Sequence, residues 1–186
     1  MPNPNFPISR VGVASDDSGD EILVDMFSRI RAKRGYVLNI HQVVGLSPKM
    51  LRAQAAYAHA MREESVIPRD LQELLILRVA QINDSDYEQT VHRPIALACG
   101  AAAAKIAELP NWQNAKVYDA RERAALAFVD QAAASGEVDD GVFEAVSKHF
   151  SRQEIVELTV LVGWYVGNSR FVRALRIAPE AATEKA

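Results

Sequence analysis

Ser85, Glu88 and His92 place a hydroxyl, a carboxylate and an imidazole at positions i, i+3 and i+7. At about 100° per residue, all three fall within one narrow stripe if the segment is helical. Glu88 and His92 are then neighbours one turn apart, so the carboxylate can orient the imidazole and raise its pKa. An imidazole titrating near neutral pH is the natural proton donor and acceptor among side chains. Upstream, Glu73 stands in Leu71-Gln72-Glu73-Leu74-Leu75-Ile76-Leu77, where most neighbours are apolar. An acid in such surroundings tends toward burial and must be paired or have its pKa shifted. A short link to the next helix would let Glu73 face the same stripe. The chemistry this set can perform is proton transfer, with His92, Glu73 and Glu88 as the catalytic candidates. Two plainer readings stand beside it. The stripe can be a solvated face bearing an ordinary surface Glu–His pair, and Glu73 can be a helix N-terminal carboxylate serving the dipole.

Around this set, Ser85, Tyr87, His41, Trp164 and Asn168 are candidates to line a pocket. Tyr87 is off the Ser85–His92 stripe by helical spacing, so packing with its hydroxyl at the edge is its plainer role. Trp164 and Asn168 are one turn apart, among the small residues Gly163, Gly167 and Ser169, where simple helix packing is the plainer role. Cys99 lies seven residues after His92 and is the only thiol available for redox chemistry; small buried cysteines are more often core residues. His92 with Glu88 supplies at most two metal ligands, so no metal site is read from the spacing.

These side chains need helices to position them. Ile22, Leu23, Met26, Phe27 and Ile30 recur at helical spacing from Glu21, and Gly35 ends that run. Asn39-Ile-His-Gln-Val-Val is a short helix or turn closed by Gly45. Ser47-Pro48 starts a helix to about Glu64. Pro68 opens the helix of Glu73, which continues to about Ile82. Asn83-Asp-Ser-Asp caps the helix of His92, which ends at Gly100, with Pro94 expected to disturb it. Residues 108–118 form the longest loop. Helices follow from Asp119 or Ala120 to about Ser135, over 139–149, and from the cap Ser151, with Glu154 completing a capping box, to about Ile177. This last helix is apolar almost all round from Ile155 to Val166, so burial in the core or against another subunit is expected. No strand pattern is visible. The class is all-α, one domain of about seven or eight helices over 21–177, with an extended N-terminal arm at 1–20 and a disordered tail at 178–186.

The chain has 186 residues, 49% apolar and 24% charged, which suits an ordinary globular domain with a real core. No apolar run is long enough to span a membrane. A net charge of −3 argues against a nucleic-acid partner, which favours a basic face. The start, Met-Pro-Asn-Pro-Asn-Phe-Pro, has no basic region followed by an apolar core, so no secretory signal is read. One cysteine rules out an internal disulfide and a thiolate metal cluster, and a cytoplasmic location fits best.

Arg69-Asp-Leu-Gln-Glu73-Leu-Leu-Ile-Leu-Arg-Val-Ala80, followed by Tyr87-Glu88 and His92-Arg-Pro-Ile-Ala-Leu-Ala, resembles the carboxymuconolactone decarboxylase superfamily, which includes alkyl hydroperoxidase D. Ala120-Arg-Glu-Arg-Ala-Ala-Leu-Ala-Phe-Val and Phe150-Ser-Arg-Gln-Glu-Ile-Val-Glu-Leu-Thr-Val-Leu-Val-Gly-Trp-Tyr extend the likeness over about 20–177. The resemblance implies an alkyl hydroperoxidase D-like helical bundle that assembles as a trimer, hexamer or related homo-oligomer, with the site near a subunit interface. In the peroxidase branch a glutamate, a Cys-x-x-Cys pair and a histidine form a proton relay. Glu73 and His92 match the ends of that relay, while Ser85 and Glu88 stand at the two cysteine positions. Peroxide reduction needs an attacking thiolate and a resolving thiol, and neither residue can serve. The decarboxylase branch also lacks the pair, and its reaction needs no metal or redox cofactor; it implies a cation to place the substrate carboxylate, for which Arg78 and Arg93 are the candidates unless they are surface residues. The expectation is therefore a cofactor-free lyase or isomerase acting on a small lactone or carboxylic acid from aromatic catabolism. The alternatives are a peroxidase working through Cys99 and a non-enzymatic helical binding or assembly protein.

Overall fold

Capping side chains set the start of some of the helices. Asp20 accepts the Leu23 N–H at 3.0 Å and starts α1, Glu21–Arg34. Gly35 closes it in the left-handed conformation at φ 85°, which a residue without Cβ adopts at little cost. Next come α2, Asn39–Val44, and α3, Pro48–Glu63. The helix of Glu73 is α4, Arg69–Ile82, and the helix of His92 is α5, Asp86–Ala98. Pro94 sits inside α5, which continues past it to Ala98. α6, Ala103–Glu108, continues as a 3-10 turn, Leu109–Asn111, where the sequence pattern predicts a loop from residue 108 and no element just before it. α7, Ala120–Ala134, begins at a full capping box between Asp119 and Glu122. α8 is Asp140–Ser147, and α9 is Arg152–Leu175. The capping box expected at Ser151 is present: Ser151 N–H donates to Glu154 at 2.7 Å and Glu154 N–H to Ser151 Oγ at 3.2 Å.

This computed structural model describes residues 8–180, and among them every regular element is helical. The chain divides into two compact units, one of residues up to Ala60 together with those from Val172, the other Met61–Phe171.

In the first unit Leu23, Met26 and Phe27 form the buried face of α1. Gly45 is needed for close approach, since a Cβ there would lie 2.9 Å from Leu23 Cδ1 and 3.0 Å from Phe27. The segment expected as an extended arm bonds to its own chain where it is described: Arg10 N–H donates to Leu175 O and Ala14 N–H to Gln42 O, both at 2.9 Å. Of the expected disordered tail, Ala178 N–H donates to Ile8 O at 2.9 Å, and Glu180 accepts the Asn39 N–H at 2.8 Å. Residues 1–7 and 181–186 of those two segments lie outside the described residues.

In the second unit α4 is the central element. Leu74, Leu75, Ile76, Val79 and Ala80 are all buried, and the helix packs against α5 and α7. Leu126 and Val129 of α7 and Leu158 and Leu161 of α9 complete this core. The turn from α4 to α5 is three residues, Asn83 to Ser85, with Asp84 left-handed at φ 48°. Ser85 N–H closes it on Ala80 O at 2.9 Å. A link that short makes α4 and α5 antiparallel neighbours, which brings Glu73 and His92 to the same level.

Candidate active site

His92 Nδ1 lies 2.7 Å from Glu73 Oε2, and His92 Nε2 lies 3.3 Å from Glu88 Oε2. Facing a carboxylate, Nδ1 carries a proton and donates it to Glu73. The imidazole is thus held between two acids, one from α4 and one from the preceding turn of its own helix. Glu73 is 0% exposed, Glu88 3% and His92 4%. Those values reject the solvated-face reading of the stripe: these groups are desolvated, and their interactions are correspondingly strong.

Burial by itself would lower the imidazole pKa. The hydrogen bonds and negative charges of Glu73 and Glu88 outweigh it and raise the pKa above the usual 6.5. Arg69, one turn before Glu73 on α4, places Nη2 2.6 Å from Glu73 Oε1. The contact is an ion pair without hydrogen-bond alignment, for Oε1 has no hydrogen-bond partner. Both oxygens of Glu73 therefore face a cation or an N–H. Glu88 Oε1 is likewise buried and without a hydrogen-bond partner, but unlike Glu73 Oε1 it has no arginine against it among the described residues.

Tyr165, from α9, meets the imidazole edge to face at 5.0 Å between ring centres and 88° between planes. It is fully enclosed, and burial raises its phenol pKa well above the usual range. Arg62, at the end of α3, hydrogen-bonds the phenol.

The structure brings Glu73, Glu88 and His92 together. Ser85 is buried as well, but its Oγ caps α5 by accepting the Glu88 N–H at 3.5 Å. Tyr87 is buried on the same helix. On α9 the residue facing His92 is Tyr165, so Trp164, one position before it, points about 100° away and Asn168, three after it, about 60° away. Cys99 caps the C-terminal end of α5 and is half-buried, two turns from His92. His41 stands on α2, in the other unit. Neither arginine named for a carboxylate is placed for it: Arg78 is held by Asp130 at 2.5 and 3.0 Å, and Arg93 is exposed. Arg62, Arg69 and Tyr165 were missed as site residues. Only Arg69 left a signal, its i, i+4 spacing to Glu73. Among the described residues no group of three His, Cys, Asp or Glu side chains is placed to hold a metal ion, and no helix is long and apolar enough to cross a membrane.

Residues 48–131 match the carboxymuconolactone decarboxylase family. The chain is 26% identical over 102 residues to the uncharacterized protein YdfG of Bacillus subtilis, covering 54% of this chain and 69% of that one. A protein of unknown function from Agrobacterium tumefaciens, linked by its description to AhpD-type antioxidant defence, superposes with a TM-score of 0.69 at 26% identity, over 74% of this chain and 95% of its own. An uncharacterized peroxidase-related protein from Silicibacter sp. TM1040 reaches a TM-score of 0.85 at 20% identity, over 100% and 97%. The debrominase Bmp8, solved as a cysteine-to-alanine variant in complex with 2,3,4-tribromopyrrole, reaches 0.79 at 19% identity, over 91% of each chain. The last two show a shared fold.

Proposed function

We propose, from the premise that residues 48–131 form a carboxymuconolactone decarboxylase-like region within an AhpD-like fold, that this chain is an acid–base enzyme, a lyase or isomerase of small lactones or carboxylic acids. The observation that carries the reading is the buried imidazole clamped between two carboxylates that play different parts. Glu73, fixed by Arg69, orients His92 and stabilises its protonated form. Glu88, with one oxygen unbonded, exchanges protons with Nε2 and with substrate. A pKa raised above 6.5 keeps an imidazolium available as proton donor near neutral pH.

In the decarboxylation this site would run, the bond from ring carbon to carboxyl carbon breaks and carbon dioxide leaves. The electron pair passes into the conjugated carbonyl, and a proton from His92 Nε2 returns to a ring carbon. An isomerisation uses the same groups, with Glu88 removing one carbon-bound proton and the Glu88–His92 pair replacing it elsewhere. Neither route needs a thiol.

The test is turnover of unsaturated lactone acids by purified protein, followed as carbon dioxide release, beside an organic hydroperoxide with a dithiol. Lactone turnover with no dithiol-dependent peroxide consumption is expected, and the reverse pattern overturns the reading. We take the working form to be a homo-oligomer. The exposed apolar side chains Met50 and Tyr57, seven positions apart on one face of α3, support this, and light scattering of the eluted protein checks it.

A further inference from the structure

The proton-transfer set accounts for His92, Glu73 and Glu88 but gives no work to Tyr165 and Arg62. Tyr165 is 1% exposed, and its ring packs edge to face on the imidazole. A buried phenol commonly finds one partner for its hydroxyl. Here that partner is Arg62, which has only donors, so the phenol oxygen must be the acceptor. The phenol's own proton takes no part in that bond and remains a donor. Burial, opposed by Arg62 but reinforced by the charges of Glu88 and Glu73, holds the hydroxyl protonated. A neutral O–H polarised by a guanidinium, in a desolvated site beside a proton donor, is suited to stabilise oxygen that gains negative charge.

We propose that Tyr165 is the oxyanion-stabilising catalytic residue of this site, that Arg62 is its positioning residue, and that the substrate class is a lactone, ester or enone whose carbonyl oxygen docks on the phenol. This rests on the acid–base reading above. As carbon dioxide leaves, or as Glu88 takes a carbon-bound proton, the electron pair moves through the conjugated system onto the carbonyl oxygen. Tyr165 O–H donates a hydrogen bond to that oxygen without giving up its proton. When His92 protonates carbon, the pair returns, the carbonyl re-forms, and the imidazole regains its proton from Glu88 or solvent. Arg62 acts only through the phenol, by drawing electron density from its oxygen.

The experiment uses 4-nitrophenol as a probe of a charge-bearing oxygen, since its phenolate is coloured and its phenol is not. Titrated across pH with full-length protein, wild type is expected to bind the phenolate more tightly than the phenol by about tenfold or more. Y165F keeps the ring and its packing and is expected to lose that preference. R62M keeps Tyr165 and is expected to lose part of it. Thermal unfolding of each variant confirms that the fold is retained. With a lactone substrate, Y165F is expected to lower kcat by roughly 10²–10³-fold with little change in KM. An equal phenolate preference in Y165F and wild type overturns the proposal, as does wild type that binds neither form at millimolar probe. Turnover insensitive to His92→Ala would instead overturn the acid–base reading, so the two failures are distinguishable.

Discussion

Arg78 and Glu73 stand on the same helix, and each anchors a cluster of charged and polar side chains in the same unit. Around Arg78 every charge is answered several times. Its guanidinium donates to both oxygens of Asp130, at 2.5 and 3.0 Å, and to Gln81 at 3.2 Å. Asp130 also accepts from Trp112 at 3.0 Å and from Gln113 at 3.1 Å. That network ties α4, α7 and the loop after α6 together and has nothing left to offer a ligand. Around His92 the geometry is as tight but the count does not close, because Glu88 Oε1 has no hydrogen bond. Buried polar groups are nearly always satisfied, so a closed network reads as scaffold and an open one as a place with a polar atom still to be satisfied. The comparison also explains why a sequence reading can misplace arginines. Arg69 and Arg78 look alike in the motif, and only their neighbours separate an arginine of the site from one that pins the core.

The largest expected effect comes from the open cluster. His92→Ala should lower turnover by roughly 10²–10⁴-fold while the protein stays folded, as read by steady-state kinetics beside circular dichroism. The closed cluster should respond in the opposite way. Asp130→Asn leaves a guanidinium without its charge partner and should cost about 2 kcal/mol of stability in urea unfolding, with activity per folded molecule unchanged. A large loss of activity in that variant would erase the distinction.

Glu73→Gln should sharpen it. Removing one of the two carboxylates that raise the imidazole pKa should move His92 downward, seen as an acid-ward shift of its NMR titration and of the matching limb of the pH–rate profile. An unmoved titration would mean that Glu88 alone sets the value.

Stability should show the same imidazole. Because the folded pKa lies above the unfolded value of 6.5, the folded state binds the proton more tightly. Its contribution is fully present below about pH 6.5 and is lost as pH rises through the folded pKa. Wild type should therefore lose part of its stability advantage over His92→Gln in that window, measured by denaturant midpoints at a series of pH values. The smallest effect is expected at Cys99: Cys99→Ala should leave lactone turnover unchanged within about twofold, since the thiol is two turns from His92 and outside the proton path. A large loss would revive the peroxidase alternative.

Much of the architecture was readable in the residues, because its causes are local. The caps Asp20, Ser85, Asp119 and Ser151 and the stop at Gly35 mark helix ends through hydrogen bonds and backbone preferences that act within one turn. The short helix Ala103–Glu108 escaped notice because six alanine-rich residues carry no periodic apolar face. The stripe of Ser85, Glu88 and His92 likewise follows from 3.6 residues per turn. The chain by itself determined which groups share that face and that a thiol pair is absent.

Tertiary packing decided what those groups can do. It buried the stripe, turning a surface-like Glu–His pair into a desolvated clamp, and it set Glu73 of α4 against His92 of α5. It delivered Tyr165 to the imidazole from 73 positions along the chain and assigned Arg78 to Asp130, 52 positions away. Helical periodicity orders only near neighbours. Desolvation and ion pairing depend on which distant side chains cover a group, and that is settled when the helices pack.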